Sequence, residues 1–94
     1  MAHEMFINSQ FGYCYYTLGK KPLIYNLYVY PQYRKQGHSK RLLRYVINEI
    51  LSQTNCTKIY IEAKPKENSI SKDALIRYYV KMGLTIKQEV TNGK

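Results

Sequence analysis

Arg34, Gly37, Ser39 and Lys40 fall within one short segment, Arg34-Lys35-Gln36-Gly37-His38-Ser39-Lys40, which joins an alternating apolar run to an amphipathic one. The first turn of a helix leaves backbone N–H groups unpaired, and the macrodipole adds partial positive charge there. A glycine at that point lets a ligand approach the main chain closely. Arg34, Lys35 and Lys40 surround the turn with cations. These features describe an anion site, and phosphate suits such helix starts. The plainer reading is a basic loop whose glycine only satisfies backbone geometry. His38 carries an imidazole capable of base catalysis.

The elements around this turn must position it. Met5-Phe6-Ile7, ended by Asn8-Ser9-Gln10, reads as a first strand. Phe11 to Leu18 holds Tyr13, Tyr15 and Tyr16, which suit a pleated, half-buried surface. Gly19-Lys20-Lys21-Pro22 breaks the chain as a hairpin loop. Leu23 to Tyr30 is a third strand, with Leu23, Tyr25, Leu27 and Val29 expected on one face, and Pro31 stops it. The period then changes. Leu42, Leu43, Val46, Ile47, Ile50 and Leu51 mark one face of a helix, and Lys40, Arg41, Arg44, Asn48 and Glu49 mark the other. Gln53-Thr54-Asn55 ends it, and Lys58 to Ala63 alternates as a fourth strand, which predicts a parallel, right-handed βαβ unit. After Pro65 and the loop Lys66-Glu67-Asn68-Ser69, Ser71 is placed to cap a second helix. Ala74, Leu75, Tyr78, Tyr79 and Met82 share its apolar face, and Gly83 sits at the C-cap. Leu84 to Val90 is the last strand, with a frayed tail beyond. The order β-β-β-α-β-α-β gives an α/β class with one mixed sheet.

Composition narrows the function classes. Ninety-four residues fit one small domain, 1–94, with one core. Hydrophobic residues at 45% and charged residues at 22% describe a folded chain rather than a disordered one. A net charge of +9 points to polyanionic or phosphorylated partners. No apolar run approaches a membrane span, and the opening residues carry no signal-peptide pattern, so the expected location is cytoplasmic. Cys14 and Cys56 lack CxxC spacing and are expected as buried thiols, with no metal site.

The strand Leu27-x-Val29-x-Pro31 followed by Arg34-x-x-Gly37-x-Ser39 resembles motif A of the GNAT family of N-acetyltransferases. Ala74-Leu75-Ile76-Arg77-Tyr78-Tyr79-Val80-Lys81-Met82-Gly83-Leu84 resembles the family's next helix, and the two segments arrive in the family's order. The resemblance runs from Phe11 onward. It implies a minimal acetyltransferase fold and acetyl transfer from acetyl-coenzyme A to a primary amine. By similarity, the backbone of Leu27, Tyr28 and Val29 holds the pantetheine arm. Arg34, Lys35, Gln36, Gly37, His38, Ser39 and Lys40 cradle the pyrophosphate. Ser71 stands where many relatives place a pantetheine-contacting Asn, and it also serves as a helix cap. Tyr79 aligns with the tyrosine that protonates the departing thiolate. Glu62 is the carboxylate best placed for a general base, if it faces the strand gap. Among short relatives, the compact size and the loop Asn68-Ser69-Ile70-Ser71 resemble a phage-borne anti-CRISPR acetyltransferase.

The chain departs from the family in three places. Ser39 replaces a Gly or Ala, Leu84 replaces a Phe, and the family's N-terminal substrate helices have no room before Met5. The missing helices leave two ways to complete an acceptor site: a macromolecular amine that brings its own surface, or a second subunit in a homodimer. The eleven tyrosines, interleaved with basic residues, also admit a base-stacking platform. The rival function is therefore a basic module of the same fold that binds nucleic acid or an acidic protein without catalysis.

Overall fold

The computed structural model describes residues 3–65 and 70–87. Three strands, β1 (His3–Asn8), β2 (Gly12–Leu18) and β3 (Leu23–Val29), form an antiparallel meander. A short 3-10 turn at Pro31–Tyr33 leads into α1 (His38–Gln53). Next come β4 (Tyr60–Ile61), α2 (Lys72–Lys81) and β5 (Thr85–Ile86). The sheet order is β1-β2-β3-β4-β5, with β3, β4 and β5 parallel to one another. The expected β-β-β-α-β-α-β order and mixed sheet are both present. β4 is shorter than the alternation of Lys58 to Ala63 predicts. β5 ends at Ile86, with Lys87 outside the strand, and the rest of the expected strand Leu84 to Val90 lies among residues 88–94, which with 66–69 are outside the described residues.

The faces of β3 differ from simple alternation. Tyr13 pairs with Tyr28 and Tyr15 pairs with Tyr25, so β3 holds one residue more than β2 between these pairs. Asn26 carries the extra step with φ 51, a left-handed conformation that Asn tolerates better than most residues. A bulge of this kind inverts the side-chain phase. Ile24 and Leu27 consequently belong to the core side, while Tyr25 and Tyr28 face the other way. The expectation of Leu23, Tyr25, Leu27 and Val29 on one face is corrected by this single residue.

Both helices cover the same face of the sheet. Cys14, Tyr16, Ile24, Ile59, Ile61 and Ala63 pack there under Leu43, Val46 and Ile50 of α1 and Tyr79 of α2. Each of the three α1 side chains is fully buried and contributes about 1.5–3 kcal/mol by leaving water. α1 ends where Thr54 turns extended and its hydroxyl donates to the Ile50 carbonyl at 2.9 Å. At the start of α2 the Ser71 hydroxyl accepts from the Ala74 amide at 3.1 Å, and Asp73 and Lys81 complement the helix dipole. α2 closes through Gly83 at φ 88. The Gly83 amide donates to Val80 and the Leu84 amide donates to Tyr79, which satisfies the last carbonyls.

The other face of the sheet carries a layer of rings. Phe6 lies 4.6 Å from Tyr15, Tyr15 stacks on Tyr25 at 5.6 Å, and Tyr13 lies 5.5 Å from Tyr28. Tyr30 meets Tyr28 edge-on at 5.9 Å, and the Tyr25 hydroxyl donates to Glu4. No described helix packs on these rings. Both cysteines are free thiols; Cys14 is buried, but Cys56 is only half-buried, which corrects the expectation for it.

Candidate active site

β3 and β4 pair only at Leu23 with Tyr60 and at Ile24 with Ile61. The last hydrogen bond between them runs from the Glu62 amide to the Ile24 carbonyl at 3.1 Å. β3 continues to Val29 along β2, so the two strands part just where Asn26 bulges. The parting opens a cleft of about 610 Å³ beneath the helices. One wall is Leu27 and Val29. A second is Tyr33, Arg34, Lys35, Gly37, His38, Ser39 and Lys40, and a third is Ala74, Leu75, Tyr78 and Tyr79, with Pro65 and Ile70 at the rim.

The loop that enters α1 is bent by two left-handed residues, Lys35 at φ 63 and Gly37 at φ 83. No side chain caps this helix start and no acidic residue occupies its first turn. Its orphan N–H groups and dipole are therefore left for an anion. Gly37 suits this bend. Its conformation favours glycine, and a β-carbon there would stand 3.1 Å from the Arg41 guanidinium. Arg41 folds back to donate to the Gln36 carbonyl at 3.0 Å, and the Gln36 side chain donates through Nε2 to the Gln32 carbonyl at 3.3 Å. Arg34 donates through Nε to the Val29 carbonyl at 2.9 Å, and its guanidinium lies 5.1 Å from the centre of the Tyr28 ring. It ties the loop to the end of β3.

His38 is held by rings rather than by acids. Its imidazole stacks on Phe11 at 3.8 Å with 9° between planes, and Tyr33 meets it edge-on at 5.9 Å. His38 also lines the cleft. Phe11 and Tyr33 are site neighbours that sequence reading missed. Tyr33 is legible beside the motif, whereas Phe11 arrives from the β1–β2 connection, distant in sequence.

The remaining site residues divide between the two faces. Tyr79 is buried at the bottom of the helix wall. Burial, with smaller contributions from Tyr78 and Cys14, pushes its phenol well above the ordinary tyrosine range. It therefore keeps its proton at neutral pH. Glu62 follows Ile61, and its carboxylate pairs with Lys64 at 3.6 Å and Lys87 at 3.5 Å. Ile59, Ile61 and Ala63 are buried under the helices, so Tyr60 and Glu62 take the ring-bearing face. Tyr79 and Glu62 thus stand on opposite sides of the sheet. Tyr28 turns its ring to that same outer face, while its backbone borders the parting. Ser71 is exposed, spends its hydroxyl on the α2 cap and does not line the cleft. Gln36 contributes backbone to the loop but does not line the cleft either.

A cleft with an uncapped helix start at one end and a protonated phenol along its wall can hold a phosphorylated carrier and donate a proton to a leaving group. Comparison with known proteins places the fold. The chain is similar in fold to an anti-CRISPR protein, AcrVA5, with TM-score 0.71 and 22% identity over 97% of this chain and 93% of the other. It is also similar to an integron cassette protein, VCH_CASS6, from the mobile metagenome of V. cholerae, with TM-score 0.62 and 15% identity over 89% of this chain and 54% of the other. No curated protein sequence matches it. The sequence model of the Acetyltransferase (GNAT) family matches residues 9–84, most of the chain, and this protein belongs to that family.

Proposed function

We propose that this protein transfers the acetyl group of acetyl-coenzyme A to a primary amine carried by a macromolecule. The observation that carries the reading is the uncapped α1 start, which opens onto a cleft that runs along Leu27 and Val29 to Tyr79. The loop from Arg34 to Lys40 would hold the coenzyme's phosphates, chiefly through main-chain N–H groups, with Lys35 and Lys40 adding charge. The apolar walls suit the pantetheine arm, whose amides would meet the β3 backbone from Leu27 to Val29. Gly37 supports this fit because the lack of a side chain lets a ligand approach the main chain closely.

The reaction balances with two proton movements. The amine nitrogen attacks the thioester carbonyl carbon, forming a C–N bond, and the C–S bond breaks. Tyr79 gives its proton to the departing sulfur, and the amine gives one of its own to a base. We assign the base to Glu62, acting directly or through water, because it stands beside the strand parting on the outer face. The acceptor would then approach from the ring-bearing side. That face is broad and uncovered by the described helices, which favours a macromolecule over a small amine.

Titration calorimetry with acetyl-coenzyme A tests the first half, and ligand binding must also raise the unfolding temperature. The rival reading, a non-catalytic basic module for nucleic acid or an acidic protein, draws support from the net charge of +9. Nucleic-acid binding of that kind loses orders of magnitude in affinity between ~50 and ~200 mM salt. Salt-steep oligonucleotide binding without coenzyme affinity would replace the proposed activity.

A further inference from the structure

We infer that Phe11 is a positioning residue for the phosphate loop: it is the surface against which both ends of Arg34–Gly37 are set. The inference rests on the proposed coenzyme site. Tyr33 immediately precedes that loop and His38 immediately follows it. Phe11 meets the first edge-on at 5.0 Å and the second face-to-face at 3.8 Å, and the two outer rings meet each other at 5.9 Å. The Phe11 carbonyl also accepts the Tyr30 amide at 2.9 Å, which fixes the chain just before the 3-10 turn. Phe11 itself lies in the connection between β1 and β2, held by the Ser9 hydroxyl through its own amide at 3.1 Å. It therefore carries the position of the meander to the start of α1.

The loop has need of such a support. It contains two left-handed residues, its helix start has no side-chain cap, and its segment from Lys35 to Gly37 is exposed. A loop of this kind has many conformations once its ends are released, and the ordering would then fall on the ligand. Aromatic pairs prefer stacked and edge-to-face arrangements, so three mutually packed rings fix orientation as well as distance. An aliphatic side chain of similar size fills the same space without fixing the angle of the imidazole. Ring geometry, beyond volume, is what the site uses.

The test compares Phe11→Leu with Phe11→Tyr, by calorimetry with coenzyme A and by NMR titration with pantetheine, which lacks the phosphates. Phe11→Leu should weaken coenzyme A by about tenfold, the scale of two lost aromatic contacts, and leave pantetheine binding unchanged. Phe11→Tyr should restore the parent's coenzyme affinity. His38→Leu removes the same stack from the helix side and should reproduce the loss if Phe11→Leu fails to fold. Parent-like coenzyme affinity in a folded Phe11→Leu or His38→Leu, or equal loss of coenzyme A and pantetheine, overturns the inference. Failure of the parent protein to bind coenzyme A overturns the proposed site itself, which is a separate result.

Discussion

Gly12 lies so close to β3 that a β-carbon added to it would stand 2.1 Å from the Tyr28 carbonyl oxygen and 2.9 Å from the Val29 α-carbon. No side-chain rotation relieves a backbone collision. The contact falls at the far end of β3, beyond the Asn26 bulge, where the strand borders the cleft on its free side. Gly12→Ala must therefore push β3 away from β2 or break the pair. Its cost should be at least that of overpacking a tight core, about 1–3 kcal/mol. Urea denaturation measures this. Because the displaced segment is the one proposed to hold pantetheine, the variant should also bind acetyl-coenzyme A more weakly.

Tyr79→Phe removes one oxygen from a buried ring and leaves the packing in place. In the proposed mechanism that oxygen carries the proton the sulfur needs, and a positioned donor contributes typically ~10²–10⁴-fold. The variant should keep the parent's coenzyme affinity and lose at least ~10-fold in kcat, allowing for water as a substitute acid. The raised phenol adds a second expectation. Tyr79 stays protonated beyond the ordinary tyrosine range, so its ionisation should leave kcat undiminished up to about pH 9. A parent-like kcat for Tyr79→Phe, in an assay where chemistry limits the rate, removes Tyr79 from the mechanism.

The same burial makes the fold sensitive to alkali. Desolvation pushes the Cys14 thiol up to about 12, and it pushes the Tyr79 phenol up as well. Both are acids that the folded chain keeps protonated while the unfolded chain releases them near their ordinary values of about 8.5 and 10. The unfolded state therefore binds fewer protons, and stability falls as pH rises through that window. The slope is about 1.4 kcal/mol per pH unit for each group. Urea midpoints should be flat near neutral pH and decline above about pH 9. Cys14→Ala should lower the slope between about pH 9 and 12, whatever it costs at pH 7. In native protein, iodoacetamide should label half-buried Cys56 and spare Cys14.

Local chemistry was readable in the sequence, and long-range phase was not. The α1 helix, the Ser71 cap and the Gly83 turn each depend on residues within a few positions and form as expected, except that Leu51, expected on the apolar face of α1, is exposed in its last turn. The faces of β3 depend on Asn26 adopting a left-handed step, which Asn permits more readily than most residues but which its place in an apolar run does not require. That one bulge gathers Tyr25 and Tyr28 on the outer face and turns Leu27 toward the cleft. Phe11 was legible only as a strand residue, since its partners Tyr33 and His38 come together through the fold. The sequence offers Glu62 as a base on condition that it faces the strand gap; the phase of β4 puts its carboxylate on the outer face, paired with Lys64 and Lys87.

Gly37→Glu places a charged, branched-out side chain at the start of α1. The residue sits at φ 83, and a β-carbon there already meets Arg41 at 3.1 Å. Left-handed backbone costs a non-glycine residue about 1–2 kcal/mol, so the fold should survive with a lower midpoint. The carboxylate then occupies the ground proposed for pyrophosphate and repels it. Calorimetry should show coenzyme affinity reduced by at least ~100-fold, the sum of lost amide contacts and like-charge repulsion. Gly37→Ala carries the backbone cost without the charge and should lose less. Parent-like binding by Gly37→Glu would put the phosphates elsewhere.

Tyr13 stands at the centre of the outer rings, in contact with Phe6, Tyr15, Tyr28 and Tyr30. The cleft and this layer share β3 but lie on opposite faces, so a change to one can be read separately from the other. If a macromolecular acceptor docks on the rings, Tyr13→Ser should raise KM for that acceptor by about tenfold or more, the usual loss for a central aromatic anchor. Coenzyme affinity should stay near the parent's, because Tyr13 does not line the cleft. A small primary amine, which needs only the strand parting, should react with the parent and the variant at similar kcat/KM. Three titrations therefore locate the face: coenzyme, small amine and macromolecule. If KM for the macromolecule is unchanged while the variant remains folded, the acceptor does not use the tyrosine layer.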